Sequence, residues 1–215
     1  MSLIIHMKIP GAIVIASDCR VTGNQRVKHE TFHYVITDSE QKTFPIGNRI
    51  ALSYSGDAEL NGLPASFILR KAVSSIQAST TQEAAAAVLA WFAEHNIKVR
   101  PNFLISGYNG SVPSVLDLPS GRKTWTEQYP EDSKYGITTA GDSKVAHALI
   151  DSGTFDYHLI RAKDAVDLEK TLIQTTAKIQ ALQKGNQTVS DACDILVITE
   201  TGMEWAFRSS TAFLV

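Results

Sequence analysis

His29-Glu30-Thr31-Phe32-His33 spells the His-Glu-x-x-His pattern of zinc peptidases. That chemistry needs both histidines on one helical face, a third ligand, and the glutamate as general base. Residues 32–37 are aromatic and β-branched instead, which favours a strand. On a strand, residues four apart lie roughly 13 Å from each other, too far to share one ion. A zinc metallopeptidase built on His29 and His33 is therefore the weakest of the enzymatic readings, and the segment is expected to form an extended hairpin. Ser39-Glu40-Gln41-Lys42 is a Ser-x-x-Lys. The acyl-enzymes that use this motif place it at a helix start with Ser-Asp-Asn and Lys-Thr-Gly partners. The chain contains neither partner, and the motif is set aside.

Two other segments carry more. One is the apolar run from Gly11 to Ser17 that continues into Asp18-Cys19-Arg20-Val21-Thr22. The other is Lys42-Thr43-Phe44-Pro45-Ile46, followed by Ile50 through Ser55 and then Gly56-Asp57-Ala58. Taken singly, Asp18 and Lys42 read as an ordinary ion pair and Gly56 as a turn glycine at a strand end. Taken in this order and spacing, the segments resemble the opening of proteasome β subunits and of the HslV-type bacterial protease, members of the N-terminal-nucleophile hydrolase superfamily. Further along, Ala140-Gly141-Asp142-Ser143-Lys144 and Ala148-Leu149-Ile150-Asp151 are similar to a stretch of the Anbu peptidases, a bacterial branch of that family. Asn186-Gln187-Thr188-Val189-Ser190 is similar to another stretch of the same branch.

The resemblance implies roles. The nucleophile falls on Ser2, sixteen positions before Asp18 and exposed once Met1 is trimmed, although the family usually has threonine there. Lys42 falls on the catalytic lysine, Asp18 on its carboxylate partner, and Gly56 on the glycine whose N–H serves the oxyanion hole. A helper serine before the third helix would be Ser143, or Thr139 in its stead, because Gly141 occupies the matching position. Thr188 and Ser190 are candidates for a downstream polar helper. The chemistry is coherent. A free α-amine with a pKa near ~8 can act as base for the hydroxyl of its own residue. A neighbouring lysine favours the alkoxide, a carboxylate fixes the lysine, and a backbone N–H stabilises the tetrahedral oxyanion. A catalytically silent assembly protein on the same fold is the alternative, as proteasome α subunits illustrate.

These residues need a scaffold. The chain has 215 residues, 44% hydrophobic and 20% charged, with a formal net charge of −2. That suits a single domain spanning residues 1–215 with a sizeable core. Mixed charge with no basic stripe gives no support for nucleic-acid binding. No apolar run reaches membrane-spanning length and no signal-peptide pattern opens the chain, so a cytoplasmic protein with two reduced cysteines is expected. Strands are expected at 3–8 and 12–17 about a Pro10-Gly11 turn, then at 32–37, 43–46 and 49–55. Helices follow at 58–75 and 81–95, the second capped at Thr81. Strands return at 102–106, 114–118, 123–127 and 136–140. Helices at 143–152 and 165–184, the latter closed by Gly185, precede a final hairpin at 194–199 and 203–208.

That order predicts an α+β fold, a four-layer αββα sandwich of two antiparallel sheets flanked by helix pairs. Ser2, Asp18, Lys42 and Gly56 are expected together at one rim of one sheet. No cofactor or metal is expected. The partners implied are a peptide or protein substrate and further copies of the chain in a ring or helical stack. An ATP-driven unfoldase is left open.

Overall fold

Seven consecutive buried residues in each of the first two strands dictate the centre of the molecule. β1 (Leu3–Ile9) and β2 (Ala12–Asp18) have no solvent face, and even His6 and Lys8, which alternate with apolar residues on β1, are buried. The computed structural model describes residues 2–27, 30–98, 101–131, 134–183 and 187–210. Positive φ at Gly11 closes the tight turn between β1 and β2. Around this hairpin a five-stranded antiparallel sheet forms in the order β12 (Gly136–Gly141), β1, β2, β13 (Cys193–Thr199), β14 (Gly202–Phe207).

A second five-stranded antiparallel sheet runs β11 (Thr126–Gln128), β10 (Val112–Leu118), β9 (Asn102–Asn109), β6 (Ile50–Ser55), β5 (Thr43–Ile46). β3 (Val21–Val27) and β4 (Glu30–Thr37) pair only with each other, forming the extended hairpin foreseen for this segment, with β3 not foreseen as a strand. His33 pairs with Asn24 on β4, so its backbone is strand, not helix; His29 lies outside the described residues.

Three apolar clusters show what packs on what. Helices α1 (Ala65–Ser75) and α2 (Thr81–Glu94) bury Leu69, Val88 and Phe92 against Phe44, Leu52 and Phe103 of the second sheet. Helices α3 (Lys144–Asp151) and α4 (Ala162–Ala181) bury Ala146, Leu172 and Ile173 against Leu3, Ile5, Val14 and Ile195 of the first. Ile13, Ile15 and Leu196 of the first sheet meet Ala51, Tyr108 and Val115 of the second. The architecture is therefore mixed α+β, with antiparallel sheets in contact and helices packed on each. Among the described residues no helix is long and apolar enough to cross a membrane.

Helix boundaries differ from the sequence expectation: α4 runs over Ala162–Ala181 rather than 165–184, and the starts of α1 and α2 change. Residues 58–75 are not one helix: Glu59–Leu60 (β7) and Leu63–Pro64 (β8) pair as a miniature hairpin, and Pro64 then takes the N-cap of α1. Proline lacks the N–H an interior helical position donates, so the helix begins after it. The N-cap of α2 is Thr80, one position before Thr81; its hydroxyl accepts from Glu83 N at 3.1 Å, while the Glu83 carboxylate accepts from Ser79 N at 2.8 Å. Gly185 lies outside the described residues.

The space between the sheets is not wholly apolar. His6 of β1, fully buried, bonds Ser106 of β9 at 2.6 Å and Ser53 of β6 at 2.9 Å. Ser53 continues to Thr43 at 2.9 Å, and Thr43 donates to Ser17 at 3.2 Å. Burial lowers the His6 pKa to about 3, so the ring stitches the sheets together as a neutral imidazole.

Candidate active site

One end of the two sheets gathers the starts and ends of five strands. β1 begins there at Leu3, β2 ends at Asp18, β5 begins just after Lys42, β6 ends at Ser55 and β12 ends at Gly141. Asp18 is the hub. Its Oδ1 accepts from Leu3 N at 2.8 Å and from Lys42 Nζ at 2.8 Å. Its Oδ2 accepts from Arg20 N at 2.9 Å and from Ser190 N at 3.2 Å. Four donors around one carboxylate explain how an ion pair with side chains only 0% and 1% exposed is tolerated. Lys42 Nζ also donates to Arg20 O at 2.6 Å, and its third N–H meets no acceptor among the described residues.

Lys42 and Gly56 belong to the second sheet, whereas Ser2 and Asp18 belong to the first. The expected single rim of one sheet is thus a rim shared by two, which the lysine stem spans. Sequence patterning reports strands but not which sheet each one joins. Gly56 follows β6 directly, is exposed, and has φ 118°, a conformation L side chains avoid.

Ser2 is 5% exposed, and Asp142 N donates to its carbonyl at 2.6 Å. No hydrogen bond joins Ser2 Oγ to Lys42 Nζ. Gly141, at φ 85°, lies so close that a Cβ built on it would stand 1.8 Å from Ser2 O. The helper serine expected near this position therefore has no room at 141 itself.

The other candidates divide. Ser143 is the N-cap residue of α3 and makes no side-chain cap bond, and among the described residues its hydroxyl does not reach Asp18, Lys42 or Ser2. Thr139 bonds His147 Nε2 at 2.8 Å near the surface, away from the hub. Thr188 is fully buried and donates to Asp142 Oδ2 at 2.5 Å, joining residue 2 through Asp142. Ser190 serves Asp18 through its backbone N–H, while its hydroxyl donates to Ala192 O at 2.9 Å.

Three residues at this end were given no role by the sequence. Asp142 holds Ser2 by its backbone. Gln180 of α4 donates to Asp142 Oδ2 at 3.0 Å and accepts from Thr188 N and Val189 N at 3.0 Å. Ser55 is fully buried beside Gly141. Asp142 lay in the Anbu-like stretch and Ser55 in the segment before Gly56, while Gln180 lay in no motif.

Neither cysteine is poised as a nucleophile. Cys19 and Cys193 are buried free thiols; burial pushes Cys19 far above its ordinary pKa and Cys193 to about 11. Among the described residues no group of three or more His, Cys, Asp or Glu side chains is placed to hold a metal ion. One surface cleft runs from Ile150 to Tyr157, and another lies between Gly11, Tyr108 and Glu200; neither includes Ser2, Asp18 or Lys42. No protein-family model matches this chain, and no curated protein matches it.

Proposed function

We propose that the chain is an N-terminal-nucleophile hydrolase that cleaves peptide or other amide bonds, with Ser2 as nucleophile after loss of Met1. The observation that carries this reading is the buried Asp18 carboxylate, whose Oδ1 receives both the Lys42 ammonium and the N–H of Leu3. An ion pair buried this deeply is a poor source of stability, and this one is tied to the first residues of the chain. The packing of helices on each sheet and of sheet on sheet supports a four-layer αββα sandwich, the architecture of that superfamily.

In this mechanism the freed α-amine of Ser2 takes the hydroxyl proton as the oxygen attacks the amide carbonyl. Lys42 stabilises the developing alkoxide and Asp18 keeps the lysine in place. The N–H of Gly56 receives the oxyanion, the amine leaving group takes the proton, and water then hydrolyses the ester formed on Ser2. The protein is further proposed to be a cytoplasmic, self-associating peptidase, which light scattering across a wide concentration range tests.

A second reading, a silent assembly protein, is favoured by one observation. Ser2 is almost buried and Lys42 Nζ spends two donors on Asp18 and Arg20 rather than on the serine. Intact mass and N-terminal sequencing of chain expressed from its native start, with hydrolysis of peptide–amide reporters by wild type and Ser2→Ala, separate the two. Loss of Met1 with activity abolished by Ser2→Ala supports catalysis. A retained Met1, or activity that survives Ser2→Ala, rejects it.

A further inference from the structure

Ser55 ends β6 with its side chain fully buried, and among the described residues its Oγ has no hydrogen-bond partner. A buried hydroxyl left unpaired costs about 1–3 kcal/mol, and folded proteins keep few of them. Its surroundings explain why this one is kept. Side chains alternate along a strand, so Ser55 points to the same side of β6 as Ser53, the side that reaches His6 on β1. By the same alternation Ser2 shares the face of β1 that carries His6. Ser2, just before β1 and two same-face positions beyond His6, and Ser55, one beyond Ser53, therefore face the same space between the sheets toward the rim. Gly141 fixes their separation: Ser2 O and Ser55 Cβ lie 1.8 and 3.2 Å from the same point beside its Cα.

We propose that Ser55 is a positioning residue whose hydroxyl accepts a hydrogen bond from the α-amino group exposed on Ser2 when Met1 is removed; this rests on the nucleophile reading above. Before that removal the nitrogen is an amide with one N–H. Afterwards it is an amine with donors to spare and a lone pair that must face Ser2 Oγ to act as base. A hydroxyl accepting one N–H turns the lone pair toward the serine oxygen. Asp142 holds the carbonyl of the same residue through its backbone N–H, so the amine and carbonyl of Ser2 are gripped from two strands.

The test uses wild type and Ser55→Ala, each shown by intact mass to begin at Ser2. The α-amine is titrated by ¹³C reductive methylation and NMR, and amide hydrolysis is followed across pH. Loss of one accepted hydrogen bond lowers the α-amine pKa by roughly one unit and kcat about tenfold, with KM unchanged. The thermal midpoint falls only slightly, because the variant loses the single hydrogen bond to the Ser2 amine. Ser55→Cys, a weaker acceptor, gives an intermediate shift and covers a failure of the alanine variant to fold. Identical titration of the Ser2 amine in wild type and variant overturns the assignment of Ser55 alone. Met1 found attached to the native chain overturns the nucleophile reading, and the Ser55 assignment with it.

Discussion

Asp18, at the end of β2, and Glu169, on α4, are both carboxylates with no solvent exposure, yet they meet opposite treatment. Asp18 receives three backbone N–H groups and an ammonium. Glu169, on α4 against β1, has neither oxygen in a well-formed hydrogen bond. Burial pushes its carboxyl well above the usual range, and the Met7 main chain offsets only part of that. Where the fold supplies donors, the chain keeps a charge indoors; where it supplies none, it keeps a proton instead. The Asp18–Lys42 charge pair thus sits at the strand ends around residue 2, while Glu169 beneath α4 is left neutral.

The largest effect is expected from undoing the charged half of this contrast. Lys42→Met leaves the buried Asp18 carboxylate without its cation and should cost about 3–5 kcal/mol. Urea unfolding at neutral pH measures it. Asp18→Asn/Lys42→Met should recover part of that loss, since no uncompensated charge remains. If the single variant costs less than 1 kcal/mol, the pair is not the buried hub described. The same result bears on kinetics: inactivity of a Lys42 variant has to be read beside its stability, which makes Ser2→Ala the cleaner probe of chemistry.

A buried base extends the comparison. His6 is neutral in the folded protein, its pKa lowered to about 3 by burial, while in the unfolded chain it takes up a proton near 6.5. The stability it lends is therefore complete above pH 6.5 and is lost progressively as pH falls toward 3. By pH 4.5 the loss amounts to roughly 3 kcal/mol, at 1.36 kcal/mol for each unit below the unfolded value. His6→Gln, which keeps a donor and an acceptor for Ser53 and Ser106, should show a correspondingly smaller drop between pH 7 and 4.5. Equal drops in both proteins would mean that the imidazole is protonated inside the fold.

Much of this was legible in the residues, for physical reasons. Apolar runs broken by Pro10-Gly11 fix β1 and β2, because a strand buried on both faces must be apolar on both. Asp18 and Lys42 were legible as partners from their motifs. The division of Lys42 and Ser2 between two sheets was not, since nothing local in a strand states its neighbour. The break at Asn61-Gly62-Leu63-Pro64 was present in the turn residues, with Asn61 at φ 52°. It was overridden by the helical pattern that follows. Gln180 and Ser55 could not be found in advance. Each is an ordinary polar residue, and its significance arises only from what folding brings opposite it.

The neutral half of the contrast gives an effect of the opposite sign, small at mildly acidic pH. Below about pH 4.5, the ordinary value for Glu169, the carboxyl carries its proton in both folded and unfolded chains, and contributes no pH dependence. As pH rises past that value the unfolded chain releases the proton, while the folded chain, its carboxyl raised by burial, retains it. Unfolding gains from that release, so stability falls with rising pH until the folded pKa is passed. Glu169→Gln has nothing to release and should escape the penalty. Wild type and variant should unfold at the same urea concentration at pH 4, and the variant should be the more stable by about 1 kcal/mol at pH 5.5. The gap should then widen toward neutrality. A variant that is equally stable at pH 4 and no better at pH 7 would mean that Glu169 ionises in place with a partner, and the distinction from Asp18 would collapse.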